Sequence, residues 1–249
     1  MDPPLESTQW AGAGRTMRDM DKPPAAETSD CCQSPTDPRI ARYFDRSMAG
    51  RVDGGPLPGM HSTSTRLGEM LADVAAVRPS VLELGCGPGA LSVNLLERGA
   101  SRVTGVDLSP ASIEAARRRA AECGVADRAE FVVGDGALAP LELHDWVVLD
   151  RVLCCYGDLG SLMDNSIAAA SVRYAFSVPL SSGVRGIVNR LLRSAENATN
   201  MLRGRPCPGY GHDVRKIEDR LRRAGFARLG AVTAGLWYLA IFERPSTGS

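Results

Sequence analysis

The sequence predicts an α/β fold built on a doubly wound, mostly parallel β-sheet. Three observations indicate this fold: short apolar segments alternate with helical patterns from Ser80 onward, each intervening helix is long enough for a βαβ crossover, and the run 146–149 is apolar throughout, as in a strand buried on both faces. With 249 residues, 44% of them hydrophobic, the chain can form one sizeable core and a second full domain is not expected.

The elements follow in order. A short amphipathic helix is predicted at 40–48, and a second at 62–77, where Leu67, Met70, Leu71 and Val74 recur at helical spacing. Strands are then predicted at 81–84, 102–107, 129–133, 145–150, 173–178, 227–233 and 236–243. Helices are predicted between them at 91–98, 110–123, 159–170, 184–203 and 213–224, with Pro110 in a first turn, where proline is tolerated. Residues 1–37 are rich in proline and poor in large apolar residues, which predicts a disordered tail.

Composition excludes several classes of partner. Lys+Arg and Asp+Glu each number 29, so a balanced chain is not expected to bind nucleic acid. No apolar run approaches the roughly 20 residues of a membrane-spanning helix, and the N-terminal residues lack a signal-peptide pattern, so we expect a cytoplasmic protein without a membrane partner. The seven cysteines form no C-x-x-C, so no metal site is expected.

A glycine-rich turn follows the first strand of the predicted sheet. Gly85, Gly87 and Gly89 are spaced G-x-G-x-G and enclose Cys86, just before a predicted helix. Glycines let the backbone turn tightly and let a ligand approach closely, and the helix N-terminus offers unpaired N–H groups. The spacing differs from the G-x-G-x-x-G of dinucleotide-binding folds.

Acidic residues stand at the ends of the first four strands. Glu83 lies within the first strand, Asp107 ends the second, Asp135 follows the third between Gly134 and Gly136, and Asp150 ends the fourth. Because ligands of open α/β sheets bind at the carboxyl ends of the strands, these side chains are expected to surround one site. Asp107 suits the hydroxyls of a ribose and Asp135 suits an adenine amino group. The alternatives are a helix cap at Asp107 or Ser109 and a turn-forming Asp135.

These segments resemble the motifs of class I S-adenosylmethionine-dependent methyltransferases, over roughly 43–244. The resemblance rests on Glu83 to Gly89, on Asp107-Leu108-Ser109, on Gly134-Asp135 and on the stretch Asp150-Arg151-Val152-Leu153. It implies a Rossmann-like, seven-stranded sheet with an antiparallel last strand. It also implies a methyltransferase domain over 38–245, with N-terminal lid helices and a cap insertion near 182–212.

The resemblance implies S-adenosyl-L-methionine as the cofactor and a role for each matching residue. Gly85, Cys86, Gly87 and Gly89 would face the methionine moiety, and Glu83 would orient the loop or reach the amino group through water. Asp107 would hold the ribose and Leu108 would pack on the adenine. Asp135 would bind N6, with the amide of Gly136 or Ala137 at the ring. Asp150 and Arg151 would lie beside the methionine end.

The expected reaction is methyl transfer to an O or N atom of a small molecule. Tyr43-Phe44 resembles the lid of magnesium-protoporphyrin O-methyltransferases, but Cys155 stands where that family has a histidine. Candidate catalytic groups are Tyr43, His61 and His212. The alternatives are a core aromatic for Tyr43, an exposed loop histidine for His61, and a helix-capping or loop-ordering histidine for His212. His144, before a strand at the far edge, is expected to be structural, Cys154 and Cys155 to be wall thiols, and Trp237 to belong to the core.

Two other functions remain open from the sequence. A non-catalytic S-adenosylmethionine-binding protein would keep the cofactor residues and lack turnover. A nicotinamide-dependent oxidoreductase is less compatible with the G-x-G-x-G spacing. A third alternative is methylation of protein or nucleic acid. Nucleic acid is disfavoured, because no basic stripe is evident and residues 150–153 lack the Asn/Asp-Pro-Pro-aromatic motif of amino-methylating nucleic-acid enzymes. The sequence does not predict an oligomeric state.

Overall fold

The computed structural model describes residues 38–52, 55–71, 74–203 and 209–245. The chain divides into two units at 33/34, and all described residues belong to the second. The predicted tail at 1–37 lies outside the described residues. No helix in the described part of the chain is both long and apolar enough to cross a membrane.

Seven strands and eight α-helices alternate along the described chain. The strands are β1 (Ser80–Leu84), β2 (Arg102–Asp107), β3 (Ala129–Val133), β4 (His144–Asp150), β5 (Ala170–Pro179), β6 (Ala227–Ala234) and β7 (Trp237–Glu243). The helices are α1 (Pro38–Val52), α2 (Ser62–Met70), α3 (Val74–Val77), α4 (Ala90–Glu97), α5 (Pro110–Glu122), α6 (Leu159–Ala168), α7 (Gly183–Leu202) and α8 (Val214–Arg223).

The strands form one sheet in the order β3-β2-β1-β4-β5-β7-β6. The first five pair in parallel, while β7 runs antiparallel to both β5 and β6. The predicted doubly wound, seven-stranded sheet with an antiparallel last strand is therefore confirmed. The order reverses direction between β1 and β4, and this switch point is where ligands bind in such sheets.

Alternation along the central strands explains why both faces of the sheet are covered. In β4, Val147 and Leu149 join an apolar cluster packed against α6 and α8, whereas Trp146 and Val148 join a cluster packed against α2, α4 and α5. All four side chains are at most 1% exposed. The uninterrupted apolar run at 146–149 is thus explained by the burial of β4 under helices on both faces of the sheet.

Several predicted elements differ from the structure by up to four residues at an end, and two predictions differ more substantially. The helix predicted at 62–77 ends at Met70, with Leu71 as its C-cap, and a short helix resumes at Val74. His144 begins β4, a central strand and not an edge strand, so its predicted edge position is wrong. Its ring is buried, with Nδ1 2.9 Å from the Glu142 carbonyl oxygen and Nε2 3.1 Å from Thr104 Oγ1, which supports a structural role.

Candidate functional site

A cavity of about 660 Å³ opens at the carboxyl ends of β1, β2 and β4. Its volume lies within the usual range for small-molecule and cofactor sites. Eleven of the predicted site residues line it: Tyr43, His61, Glu83, Gly85, Cys86, Gly87, Asp107, Leu108, Gly136, Asp150 and Arg151. Three other predicted residues, Gly89, Asp135 and His212, are not part of this wall.

The glycine turn forms the floor of the cavity. Gly85 (φ +67°) and Gly87 (φ +52°) both adopt the left-handed backbone region. The Gly85 amide donates a 2.7 Å hydrogen bond to the Val106 carbonyl, which ties the turn to β2. A Cβ at Gly87 would meet nothing within 4 Å, so the backbone there is open to a ligand. The turn therefore exposes backbone that a ligand can approach closely, as its glycines predict.

Gly89 has a different role from the one predicted. It is the N-cap residue of α4, at φ +71°, and a Cβ there would lie 2.9 Å from that of Ala116 and 3.3 Å from the Phe131 ring. The constraint on Gly89 is thus the packing of α4 against α5 and β3. Its predicted contact with the methionine moiety is not supported by this geometry.

Asp107 joins the turn to the end of β2. Its Oδ2 accepts a 2.8 Å hydrogen bond from the Gly87 amide, and its Oδ1 accepts a 2.9 Å bond from the Ser109 amide. Burial raises the pKa of Asp107 despite these two bonds. The cap alternative holds for Ser109, whose Oγ accepts from the Ser112 amide and caps α5. The Asp107 carboxylate itself stays on the cavity wall.

Asp135 is buried and is not part of the cavity wall. Its Oδ1 accepts hydrogen bonds from the Ala137 amide, at 2.9 Å, and from the Tyr156 hydroxyl, at 2.5 Å. The first of these bonds is the turn-forming alternative considered above, and the second anchors Tyr156. The flanking Gly134 and Gly136 line the cavity in its place. The structure thus favours the turn-forming role over a direct adenine contact by this carboxylate.

Glu83 is buried at the centre of the site. Its side chain is 3% exposed and accepts a short hydrogen bond from Ser92 Oγ. Burial, and secondarily the nearby Asp150 and Asp107 carboxylates, raise the pKa of Glu83 to about 8. Three carboxyl groups therefore share one partly enclosed site, an arrangement that favours a ligand with positive charge and several hydrogen-bond donors.

Asp150 and Arg151 are held by residues that the sequence did not identify. Ser64 of α2 and Ser177 of β5 both donate to the Asp150 carboxylate through their hydroxyls. Arg151 has a positive φ of 62°, and its guanidinium lies 5.4 Å from the ring centroid of Trp237. Trp237 therefore lies on the cavity wall, not wholly within the core as predicted.

Helix α1 forms part of one side of the cavity. It contributes Tyr43 and Phe44 to the wall. Asp45, on the same helix, accepts hydrogen bonds from the Ala111 amide at 2.9 Å and from Ser109 Oγ at 3.2 Å. A residue of α1 thus helps to cap the N-terminus of α5, and this contact holds α1 against α5.

This contact leads to a stability prediction. Asp45→Ala should lower the free energy of unfolding by about 1 kcal/mol, because it removes a cap interaction from α5. It should also accelerate amide hydrogen exchange in residues 38–52 more than elsewhere, since α1 loses its polar anchor. Arg46→Ala, on an exposed side chain of the same helix, is the matched control and should leave both measurements unchanged. Equal exchange in the two variants would contradict the anchoring role.

The two candidate histidines lie in different surroundings. His61 is the N-cap of α2, where Nδ1 accepts a 3.2 Å bond from the Thr63 amide, and it also lines the cavity. His212 is outside the cavity: its Nε2 lies 2.8 Å from the Tyr156 carbonyl oxygen and its ring stacks on Tyr210. This geometry fits the loop-ordering alternative and removes His212 from the candidate bases.

Helix α7 supplies polar wall residues that the sequence placed only in a general cap segment. Arg193, Glu196 and Asn200 line the cavity from this helix. Cys154 and Cys155 line it from the turn after β4, as expected of wall thiols. The sequence did not place Arg193 at the site, because arginines along a helix more often form a solvated face than a substrate cap. Within the described residues, no cluster of three or more His, Cys, Asp or Glu could hold a metal ion.

Comparison with known proteins shows which proteins share this fold. Residues 81–175 match the family described as "Methyltransferase domain". Magnesium protoporphyrin IX methyltransferase from Synechocystis PCC 6803, solved with bound SAH, superimposes with a TM-score of 0.59 at 22% identity, over 82% of this chain and 96% of that one. The chain therefore has the fold of these methyltransferases, and its residues 81–175 match a methyltransferase domain. The prediction made from its motifs is confirmed at the level of domain and fold.

The other similar proteins differ in what they are said to act on. An O-methyltransferase family 2 protein from Planctomyces limnophilus, solved in complex with apigenin, has a TM-score of 0.61 at 18% identity, over 83% of this chain and 62% of that one. The ribosomal protein L11 methyltransferase of Haemophilus influenzae (strain PittEE) is 35% identical over 95 residues, which are 38% of this chain and 32% of that protein. The Escherichia coli (strain 55989 / EAEC) enzyme of the same name is 30% identical over 56% and 43%, respectively. The chain thus spans less than half the length of these curated relatives.

Proposed function

We propose that the protein is an enzyme that transfers a methyl group from S-adenosyl-L-methionine to an O or N atom of a small molecule. The observation that carries the proposal is the group of three carboxyl side chains, Glu83, Asp107 and Asp150, around the open Gly85–Gly87 turn in one cavity. S-adenosylmethionine combines a sulfonium and an ammonium group with ribose hydroxyls, which suits such an acidic site. A class I methyltransferase domain with a bound-cofactor neighbour supports the assignment.

The residues of the site suit distinct parts of this cofactor. Asp107 would accept from the ribose hydroxyls, and Leu108 would pack against the base. Glu83 would attract the ammonium group of the methionine moiety, near the open backbone at Gly87. The cofactor supplies an activated methyl group, so the protein has chiefly to align the acceptor and exclude water.

The acceptor end of the cavity is formed by α1, α7 and the turn after β4. Tyr43 and His61 line this cavity and are the proposed groups for positioning an acceptor. With Nδ1 of His61 accepting from a backbone amide, the neutral ring carries its proton on Nε2, so it would orient an acceptor by donating a hydrogen bond. Lids on two sides favour a small acceptor over a folded protein. The curated relatives, named for a ribosomal protein, make a protein acceptor the alternative to include in a screen.

Calorimetric titration with S-adenosylmethionine, S-adenosylhomocysteine and NADH in parallel tests the cofactor assignment. We expect micromolar binding of the first two and none of NADH. Binding of NADH alone would favour the oxidoreductase alternative. Binding of S-adenosylmethionine without methyl transfer to any small-molecule or protein acceptor would favour the non-catalytic alternative.

The raised pKa of Glu83 predicts a pH dependence of cofactor binding. The carboxyl is protonated below about pH 8 in the free protein, whereas an ammonium group favours the ionised form, so binding releases a proton. Affinity for S-adenosylhomocysteine should therefore rise with pH, by up to about tenfold per unit between pH 6 and 7.5, below the ordinary α-amino pKa of about 7.7–8.0. Calorimetry in buffers of different ionisation enthalpy measures the released proton.

Glu83→Gln is the variant that tests this linkage. Since the amide does not ionise, the slope of affinity against pH should flatten and the proton release should disappear. Glu114→Gln, on the exposed face of α5, is the control and should keep the wild-type slope. A pH slope that survives in Glu83→Gln would assign the proton to another group.

A further inference from the structure

Two adjacent thiols lie on the acceptor side of the cavity. Cys154 and Cys155 occupy the short 3-10 turn that follows β4, with their sulfur atoms 3.9 Å apart. Both S–H groups are placed to donate to the Arg151 carbonyl oxygen, at 3.5 Å and 3.8 Å. The two side chains therefore point in the same direction, toward the same wall of the cavity.

The turn that carries the pair is held in place from two sides. The Cys154 carbonyl accepts a 2.7 Å hydrogen bond from the Tyr210 amide, and the Tyr210 carbonyl accepts a 2.6 Å bond from Arg193 Nη1. Cys154 is only 5% exposed, whereas Cys155 is half-buried. The thiols are thus presented by a fixed backbone, and one of them is shielded from bulk water.

The spacing is close to what one centre bonded to both sulfurs requires. With bonds of about 2.3 Å to sulfur, a pyramidal or tetrahedral centre holds two sulfurs about 3.4–3.8 Å apart, slightly closer than the 3.9 Å between these thiols. A direct disulfide is a poorer product, because consecutive Cα atoms lie about 3.8 Å apart, below the usual disulfide range of about 4.4–6.8 Å. The pair is therefore better arranged to bind a bridging atom than to oxidise.

The charges around the pair select the kind of centre. The Cys155 thiol and then the Arg193 and Arg151 guanidinium groups lower the pKa of Cys154 to about 7, so that a thiolate forms readily. The same guanidinium groups oppose a metal cation, and the described residues offer no third ligand for one. A neutral electrophile that takes up two thiolates escapes this repulsion.

We propose that Cys154 and Cys155 form a dithiol site for neutral, trivalent arsenic or antimony compounds. In the reaction of a dihydroxyarsine, two As–O bonds break and two As–S bonds form. Each hydroxyl leaves with one thiol proton as water, and the arsenic remains trivalent. The inference goes beyond methyl transfer and does not depend on cofactor binding.

Phenylarsine oxide, a trivalent arsenical, is the probe. Cys31 and Cys32 form a second adjacent pair in the sequence, so the test uses full-length protein carrying Cys31→Ser and Cys32→Ser. Intact mass spectrometry should find one arsenical per chain that resists excess glutathione and is released by 2,3-dimercaptopropanol. Two sulfurs on one centre hold it by effective concentration, so loss of either should weaken retention by about 10²-fold or more.

Cys154→Ser and Cys155→Ser should each abolish the glutathione-resistant adduct. Cys123→Ser, at an exposed cysteine far from any partner thiol in sequence, is the matched control and should retain it. Thermal melting checks the fold of each variant and does not depend on the cofactor. If Cys154→Ser does not melt cooperatively, Cys154→Ala is tested in its place. A resistant adduct that persists without Cys154 or Cys155, or that is absent from the parent, would overturn the proposal.

Discussion

Asp107→Ala is expected to weaken S-adenosylhomocysteine binding by about 10²–10⁴-fold. This range corresponds to the loss of two hydrogen bonds to a charged acceptor, each contributing about 1.5–3 kcal/mol. The proposed ribose contact is lost outright. The variant also leaves the Gly87 and Ser109 amides without their acceptor, so the open turn loses one of its ties to β2. Isothermal titration at one pH and ionic strength measures the change.

His144→Ala is the matched control for this variant. His144 lies at the opposite end of the sheet, at the start of β4, and bonds to Thr104 and the Glu142 carbonyl. Its loss should lower stability, since two partly buried hydrogen bonds are lost, yet leave binding within about threefold. Equal losses of affinity in the two variants would contradict the location of the site.

Strands were the most predictable part of the fold, for a physical reason. Each strand is a short run of mostly apolar or β-branched residues bounded by turn residues, and β2 and β3 were predicted with the bounds that the structure has. The break after Met70 was not predictable in this way. Helical spacing of apolar residues continues through Val74, whereas the end of α2 at Leu71 is visible only in its cap geometry.

The roles of the motif residues were also easier to predict where they depend on neighbours in sequence than where they depend on distant residues. Gly85 and Gly87 act through their own backbone conformation, and their position on the cavity floor followed from the strand-turn-helix pattern. Asp135 and Gly89 depend on partners distant in sequence, Tyr156 and Ala116, that no local pattern indicates. Short-range motifs thus predicted where the site lies better than which side chains face it.

Partners of the motif residues were the least predictable. Ser64 and Ser177 both bind Asp150, yet single serines carry no periodic or spacing signal. They converge because α2 packs beside the sheet and β5 lies next to β4. The acceptor side, formed by α1, α7 and the turn at Cys154, is likewise a product of tertiary packing.

Gly85→Ala should destabilise the protein by about 2–5 kcal/mol, the sum of a left-handed backbone cost of about 1–2 and an overpacking cost of about 1–3. Gly85 has φ +67°, and a Cβ there would lie 2.3 Å from Val152 Cγ2. Gly87→Ala is the matched control in the same turn: it shares the positive φ but would meet nothing within 4 Å. It should cost only the backbone part, about 1–2 kcal/mol.

A double-mutant cycle with Val152→Ala separates the two costs. Removing the valine methyl groups relieves the overlap but not the backbone strain, so Gly85→Ala should be less damaging in the Val152→Ala background by about 1–3 kcal/mol. Urea denaturation of the four proteins measures this coupling. Additive effects, or equal destabilisation by Gly85→Ala and Gly87→Ala, would show that the contact with Val152 is not what requires glycine at position 85. The turn would then be constrained by its backbone alone, and Val152 would have no part in shaping the cavity floor.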